Sequence, residues 1–106
     1  MAVRWREIQT DKDSKFSTVI EELHKVVVHR FRVGDVDDPD LYAAEPLYKW
    51  EKSESGQFVM KHAIGRPEWH RQPNHMIYGY DYIIVAELEM KKLSEFYLRW
   101  GPVDGS

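Results

Sequence analysis

Hydrophobic and polar residues alternate most regularly between positions 80 and 100. The even positions from Tyr80 to Leu88 carry apolar or aromatic side chains, whereas positions 81, 87 and 89 are acidic. After a short connection at 90–92, a similar alternation runs through Phe96, Leu98 and Trp100. Because this period is typical of half-buried strands, the sequence predicts an antiparallel hairpin over residues 80–100 with one buried face.

A helix followed by a strand is predicted in the first third of the chain. In residues 12–24 the apolar side chains recur at the i, i+3, i+4, i+7 spacing of an amphipathic helix. Residues 25–33 are rich in β-branched side chains and end at Gly34, which is typical of a strand. One face of this strand is expected to carry Val27, His29, Phe31 and Val33.

The Asp-Pro-Asp sequence at 38–40 indicates the start of a second helix. Its first acid is suited to the N-cap, its proline to the first helical position, and its second acid to the positive helix end. Because Pro46 follows closely, we expect a short turn over 39–44 and a longer helix over 46–63. The Ser-Glu-Ser-Gly sequence at 53–56 predicts a kink or a break in the longer helix.

These elements together predict a single α+β domain over residues 1–106. Gly65 and Pro67 end the second helix, and a turn-rich stretch is expected over 66–79. The predicted order, α–β–α–(β)–β–β, is typical of an antiparallel sheet of three to five strands with one or two helices on one face. Residues 101–106 contain two glycines and a proline and are expected to form a mobile tail.

The composition excludes several classes of protein. With 42% apolar and 31% charged residues, the chain is typical of a soluble globular protein. Because it has no cysteine, it has no disulfide framework and no thiol nucleophile. A net charge of −3 argues against general attraction to nucleic acids or anionic membranes. No apolar run is long enough to span a bilayer, and charges interrupt the first ten residues, so we expect a cytoplasmic protein without a membrane partner.

The alternating acids of residues 35–40 superficially resemble a calcium-binding loop. An EF-hand requires glycine at its sixth position and glutamate at its twelfth, whereas this chain has Asp40 and Pro46 there. Helix capping explains Asp38 and Asp40 without any ion. We therefore interpret this segment as a strand-to-helix turn.

No recognised catalytic or cofactor-binding motif occurs in the sequence. The five histidines lack the i, i+4 spacing of paired metal ligands on a helix, so we predict no metal site and no cofactor. The nucleophile elbow, the P-loop and the dinucleotide fingerprint are also missing. A general acid/base pair, formed by a histidine with Glu68 or Glu45, stays open as a hypothesis, and so does the question of enzymatic activity.

The most suggestive candidate site lies in residues 66–80. This stretch combines aromatic rings that can stack on planar ligands with cations that can contact phosphate. In the alternative interpretation, Trp69 and Tyr78 pack over the sheet edge while the histidines and arginines reach solvent. The candidate ligand-binding residues are Arg66, Trp69, His70, Arg71, His75, Tyr78 and Tyr80.

Four segments resemble a group of small uncharacterised proteins of tailed phages of the T4-like, cyanophage type. These segments are GDVDDPDLYAA at 34–44, SESGQFVMKHA at 53–63, PEWH at 67–70, and residues 79–101. The resemblance covers residues 25–101 and leaves the predicted N-terminal helix outside. It implies a phage accessory protein that works in a bacterial cytoplasm, and it implies no catalytic residue.

Two hypotheses about function follow. The first is a non-catalytic interaction module that forms a homo-oligomer and binds protein, a planar ligand or nucleic acid. We expect self-association because the chain is short and the 80–100 region, rich in Trp and Tyr, has surplus apolar surface. The alternative is a small ligand- or nucleic-acid-binding domain, or an enzyme. Its pocket would be lined by Trp69, His70, Arg71, His75 and Tyr80.

Overall fold

Antiparallel strands and helices form this chain in the order β–β–α–α–β–β–α. The computed structural model describes residues 2–9, 18–34, 36–74, 76 and 78–103. Within these residues the strands are β1 (Ala2–Gln9), β2 (Thr18–Val33), β3 (Glu68–Asn74) and β4 (Gly79–Glu89). The helices there are α1 (Pro39–Lys52), α2 (Glu54–His62) and α3 (Met90–Trp100). The predicted α+β class with an antiparallel sheet is confirmed, although the described part has three helices, not one or two.

The sheet has the strand order β1-β2-β4-β3, and each neighbouring pair is antiparallel. Strand β4 pairs with residues 23–33 of β2, whereas β1 pairs with residues 18–25. The two sets overlap only at 23–25, so β1 and the start of β2 form a two-stranded ribbon that extends beyond β4. The molecule is accordingly long and narrow, with principal dimensions of 57, 25 and 24 Å.

The core lies between the helices and one face of the sheet, as the alternation in β4 predicts. Tyr82, Ile84, Ala86 and Leu88 are all buried, and each lies two positions from the next. The first core cluster joins side chains of β2 and β4 to side chains of all three described helices. Its helical members are Trp50, Phe58, Val59, Leu93 and Phe96.

A β-bulge in β2 places one residue of the predicted set Val27, His29, Phe31 and Val33 on the opposite face of the sheet. The register shifts between Val27 and His29, so that Val28 is an extra residue in β2. Val27 therefore pairs with Val85 on the sheet face away from the helices, whereas the rest of the predicted set lies on the face that the helices cover. Those pairs are His29–Ile84, Phe31–Tyr82 and Val33–Tyr80.

The predicted helix over 12–24 is wrong from residue 18 onward, because Thr18 begins β2. Residues 12–17 lie outside the described part of the chain. Residues 18–25 are extended because they pair with β1, a strand that the sequence analysis did not predict. A long-range partner thus overrides the local helical spacing.

The second arm of the predicted hairpin is also wrong, because residues 90–100 form α3. Leu93 and Phe96 are buried and Leu98 is 87% exposed, a pattern with the helical period and not the period of a strand. The Glu89 side chain caps the helix by accepting a hydrogen bond of 3.3 Å from the Lys91 backbone N–H. Within the predicted tail, Val103 packs against the first core cluster, and residues 104–106 lie outside the described part.

The helical segment in the middle of the chain is interrupted at Ser53 and not at Pro46. Helix α1 spans Pro39–Lys52 with Pro46 inside it, so the predicted division at Pro46 is wrong. The predicted break within 53–56 is confirmed, and Ser53 ends α1 and starts α2. Its Oγ accepts a hydrogen bond of 3.1 Å from the Gly56 N–H and donates one of 2.5 Å to the Trp50 carbonyl. One hydroxyl therefore fixes the junction of the two helices.

We expect Ser53→Ala to lower the free energy of unfolding by about 1 kcal/mol, the usual effect of losing an N-cap side chain. Asp38→Ala is the matched control. Asp38 occupies the N-cap position of α1, but its side chain makes no capping hydrogen bond, contrary to the sequence prediction. Its loss should therefore change stability by less than about 0.5 kcal/mol. Urea denaturation of both variants measures the difference, and equal losses would contradict this assignment of the caps.

Candidate functional site

Most of the candidate site lies on β3, at the edge of the sheet. The predicted turn-rich stretch over 66–79 is wrong at Glu68–Asn74, which pairs with β4 from Glu68–Val85 to Asn74–Gly79. Pro73 fits this strand because an edge strand tolerates a residue that cannot donate a hydrogen bond. Almost every residue of β3 is exposed to solvent.

The period of the strand separates the candidate residues onto two faces. Trp69 pairs with Ile84 and Arg71 pairs with Tyr82, so both side chains lie on the face that carries the helices. His70 lies on the opposite face, which the helices leave open. The structure therefore does not bring Trp69, His70 and Arg71 together in one pocket.

The other candidate residues lie around β3 without converging. Arg66 is exposed just before the strand, and Tyr78 is 81% exposed in the turn after it, with a positive φ of 49°. Tyr80 is half-buried in β4 and packs against a second core cluster, which consists of Val33, Ala43 and Tyr82. His75 lies outside the described residues.

Arg71 belongs to a polar cluster that joins the first turn of α1 to the sheet. Its Nη1 donates a hydrogen bond of 3.1 Å to Oδ1 of Asp40, and its guanidinium lies 5.1 Å from the centre of the Tyr80 ring. The Tyr82 hydroxyl donates a hydrogen bond of 2.6 Å to the same Asp40 oxygen. Asp40 was expected only to favour the helix dipole, and it also holds α1 against β3 and β4.

The electrostatics of this cluster indicate a structural role. Burial of the phenol and the hydrogen bond to Asp40 raise the pKa of Tyr82, so its hydroxyl is protonated at neutral pH. A protonated phenol with 0% exposure is shielded from solvent and is a poor base. The cluster therefore fixes Arg71 and the start of α1.

Of the two carboxyl groups predicted for an acid/base pair, only Glu68 contacts a histidine among the described residues, and that contact is exposed. Nε2 of His70 lies 3.5 Å from Oε2 of Glu68, and both side chains are more than half exposed. Glu45 instead pairs with Lys49 at 3.1 Å. Burial lowers the pKa of His29, whose ring stacks on Trp50 with 5.7 Å between centroids. Within the described residues, no group of three or more potential ligands is arranged to hold a metal ion.

A narrow groove lies between β3 and helices α1 and α2. It encloses about 60 Å³, and its charged lining residues are Glu51, Arg66 and Glu68. Trp50 is only 5% exposed, and its Nε1 has no hydrogen-bond acceptor among the described residues. Trp69 and Met60 are about half exposed beside it. The apolar lining is Leu47, Trp50, Met60, Pro67, Trp69 and Ile84.

The open face of the sheet carries charges of both signs, mostly in pairs. Asp81 pairs with Arg30 and Arg32, at 2.6 and 3.2 Å. Two further pairs, Arg4–Glu87 at 2.7 Å and Lys25–Glu68 at 3.5 Å, lie on the same face. Paired charges of this kind do not form the continuous basic surface that nucleic-acid binding requires.

The sequence analysis did not predict Trp50, Met60 and Asp40 as site residues, because they are distant in sequence from β3 and β4 and come close to these strands only in the folded chain.

None of the described helices is both long and apolar enough to cross a membrane. No family model matches the chain, and neither the curated proteins nor the solved structures contain a match.

Proposed function

We propose that this protein is a small non-catalytic interaction module that functions as a homo-oligomer. The observation that carries this proposal is the surface around β3, where a strand edge without a partner strand among the described residues adjoins the exposed apolar side chains of Trp69 and Met60. A free strand edge is a template for pairing with another chain, and apolar groups beside it favour association.

Further exposed aromatic and aliphatic side chains on α1 support an interaction role. Leu41, Tyr42 and Tyr48 are each at least 60% exposed. Leu41 and Tyr48 are seven residues apart, so they lie on the same side of the helix. The candidate polar contacts, by contrast, are exposed or serve packing, which favours binding over catalysis.

The resemblance to tailed-phage proteins is the basis for proposing a biological setting. We place the protein among phage accessory proteins that work in the bacterial cytoplasm. An accessory protein that assembles with copies of itself or with other phage components fits the interaction surface around β3.

One observation favours the alternative, a small ligand- or nucleic-acid-binding domain. Trp50, whose buried Nε1 has no hydrogen-bond acceptor among the described residues, lines a groove that also holds a half-exposed Trp69. A planar ligand stacked on the exposed part of the Trp69 ring would bury apolar surface in this groove.

Light scattering with size-exclusion chromatography tests the proposed function. We expect a mass of at least twice 12.6 kDa at high protein concentration, falling toward 12.6 kDa on dilution. A mass of 12.6 kDa at every concentration would overturn self-association. If that monomer changed its tryptophan fluorescence when titrated with a single-stranded oligonucleotide at low salt, the result would support the alternative.

A further inference from the structure

We infer that two copies of the chain pair antiparallel through β3, about a two-fold axis at His70, to form one continuous sheet. This pairing presupposes the self-association proposed above, and it names the interface and the register. Three features of the described residues lead to it: the direction of the backbone groups of β3, the positions of two prolines, and the side chains that the register places opposite each other.

In β3 the backbone N–H and C=O groups of Trp69 and Arg71 point away from β4. The Ile64 N–H donates a hydrogen bond of 2.8 Å to the Glu87 carbonyl, so the odd-numbered residues of β4 bond toward the β3 side. The residues of β3 that pair with them are the even ones, including His70 opposite Ile83. Trp69 and Arg71 therefore turn their N–H and C=O groups to the free edge.

Two prolines limit this free edge symmetrically. Pro67 and Pro73 each lie three residues from His70, and neither has an N–H to donate. In an antiparallel pair centred on His70, Trp69 lies opposite the partner's Arg71, and Arg71 lies opposite the partner's Trp69. Each pair exchanges two backbone hydrogen bonds, and the prolines end the ladder on both sides. The pairing is therefore confined to one short segment.

The side chains that face each other in this register are compatible. On the helix side, the Trp69 ring meets the guanidinium of the partner's Arg71, a favourable cation–π combination. The Asp40 contact already fixes that guanidinium in each copy. On the open side, Glu68 lies opposite the partner's Gln72, and His70 lies opposite the partner's His70.

Three competing registers, one of β3 and two of β1, place like charges together. Centring the pair on Arg71 would set that arginine opposite the partner's Arg71, and directly opposed like charges are destabilising. At the other sheet edge, the two longest two-fold registers of β1 place Arg4 opposite Arg6, or Arg6 opposite the same residue of the partner. The register centred on His70 has no such conflict.

A two-fold axis perpendicular to the sheet also adds apolar contact. It places the helices of both copies on the same side, so the two grooves beside β3 meet near the axis. Trp69 and Met60, exposed by 46% and 48%, would then face a second set of the same side chains. This contact matters because a stable dimer buries more area than a short strand pair provides.

Cysteine cross-linking tests the register, since the natural chain contains no cysteine. His70→Cys should form a disulfide-linked dimer on mild oxidation, because opposed non-hydrogen-bonded residues have Cα atoms about 4.5 Å apart, within disulfide range. Glu68→Cys and Gln72→Cys are the matched controls on the same exposed face. Alone, each should cross-link at least about ten-fold less, because its copies lie about 14 Å apart at ~3.4 Å per residue. Mixed together, these two variants should cross-link to each other.

The outcomes separate the register from self-association. A dimer by light scattering in which His70→Cys fails to cross-link, or in which either control alone cross-links equally well, overturns this pairing and leaves the proposed function standing. A monomer at every concentration overturns both. Circular dichroism of the reduced variants checks that each is folded, and the three positions are solvent-exposed, so substitution there should preserve the fold.

Discussion

Replacing Gly56 with alanine is expected to destabilise the protein by about 3 kcal/mol or more, the upper part of the range for overpacked sites. A Cβ at this position would lie 1.7 Å from the Trp50 carbonyl oxygen and 2.7 Å from its carbon. Both atoms belong to the backbone of α1, so they cannot move aside as the end of a flexible side chain could. Helix propensity alone predicts the opposite sign, a gain of about 1 kcal/mol for alanine in a helix.

Gly34→Ala is the control for this experiment. Its Cβ would have no heavy atom within 4 Å, so we expect stability to stay within about 0.5 kcal/mol of the parent. Urea denaturation followed by circular dichroism compares the two variants with the parent. If Gly56→Ala were as stable as the parent or more stable, the close approach of α2 to the end of α1 would be refuted.

Strand β4 could be predicted from the sequence because its signal is local and repeated. The even-numbered residues from Tyr80 to Leu88 are all apolar or aromatic, and Asp81 and Glu87 on the other face are acidic, so the period of two shows directly. The following segment fits two periods at once. Phe96 and Trp100 are even-numbered and also four residues apart, so they satisfy the alternation of a strand and the spacing of a helix. Only the exposure of Leu98 and the burial of Leu93 distinguish the helical period from the strand period, and both depend on the fold.

The N-terminal part of the sheet could not be predicted from local patterns. Residues 18–25 have helical spacing, and they become a strand because they pair with β1. In β1 itself, Val3 and Trp5 alternate with Arg4 and Arg6, a weak signal of only four residues. A pattern that short is ambiguous until the partner strand is known.

The candidate site was predicted in its chemistry and not in its geometry. The sequence indicates that residues 66–80 are rich in aromatic and cationic groups, but it does not indicate that an edge strand divides them between two faces. The contact of Asp40 with Tyr82 joins residues 42 positions apart. The groove likewise depends on α1 lying beside β3, which no motif within either segment specifies.

Asp81 is the second residue at which we expect a large effect. It is 5% exposed on the otherwise open face of the sheet, and it accepts three hydrogen bonds. The donors are Arg30 at 2.6 Å, Asn74 at 3.1 Å and Arg32 at 3.2 Å. The carboxylate thus links β2 and β4 to the end of β3.

The charge of Asp81 makes stability depend on pH in a definite direction. Burial alone would raise the pKa of this carboxyl, but Arg30, Asn74 and Arg32 outweigh burial and hold the pKa below its ordinary value. A lowered pKa in the folded state means that the contribution is complete above the unfolded value of about 3.9. It is lost as the pH falls through the folded pKa.

Asp81→Asn keeps the size of the side chain and removes its charge, so we expect a loss of about 2 kcal/mol at neutral pH, because hydrogen bonds to a buried carboxylate are stronger than hydrogen bonds to a neutral amide. Glu87→Gln is the matched control, because its partner Arg4 is 59% exposed and such pairs contribute less than about 1 kcal/mol. Urea denaturation between about pH 7 and pH 3 should show the difference between parent and Asp81→Asn narrowing on acidification, since the carboxyl of the unfolded parent then binds a proton while the folded carboxylate still resists protonation. A difference that stayed constant across this range would show that Asp81 acts through packing and hydrogen bonding, without a contribution from its charge.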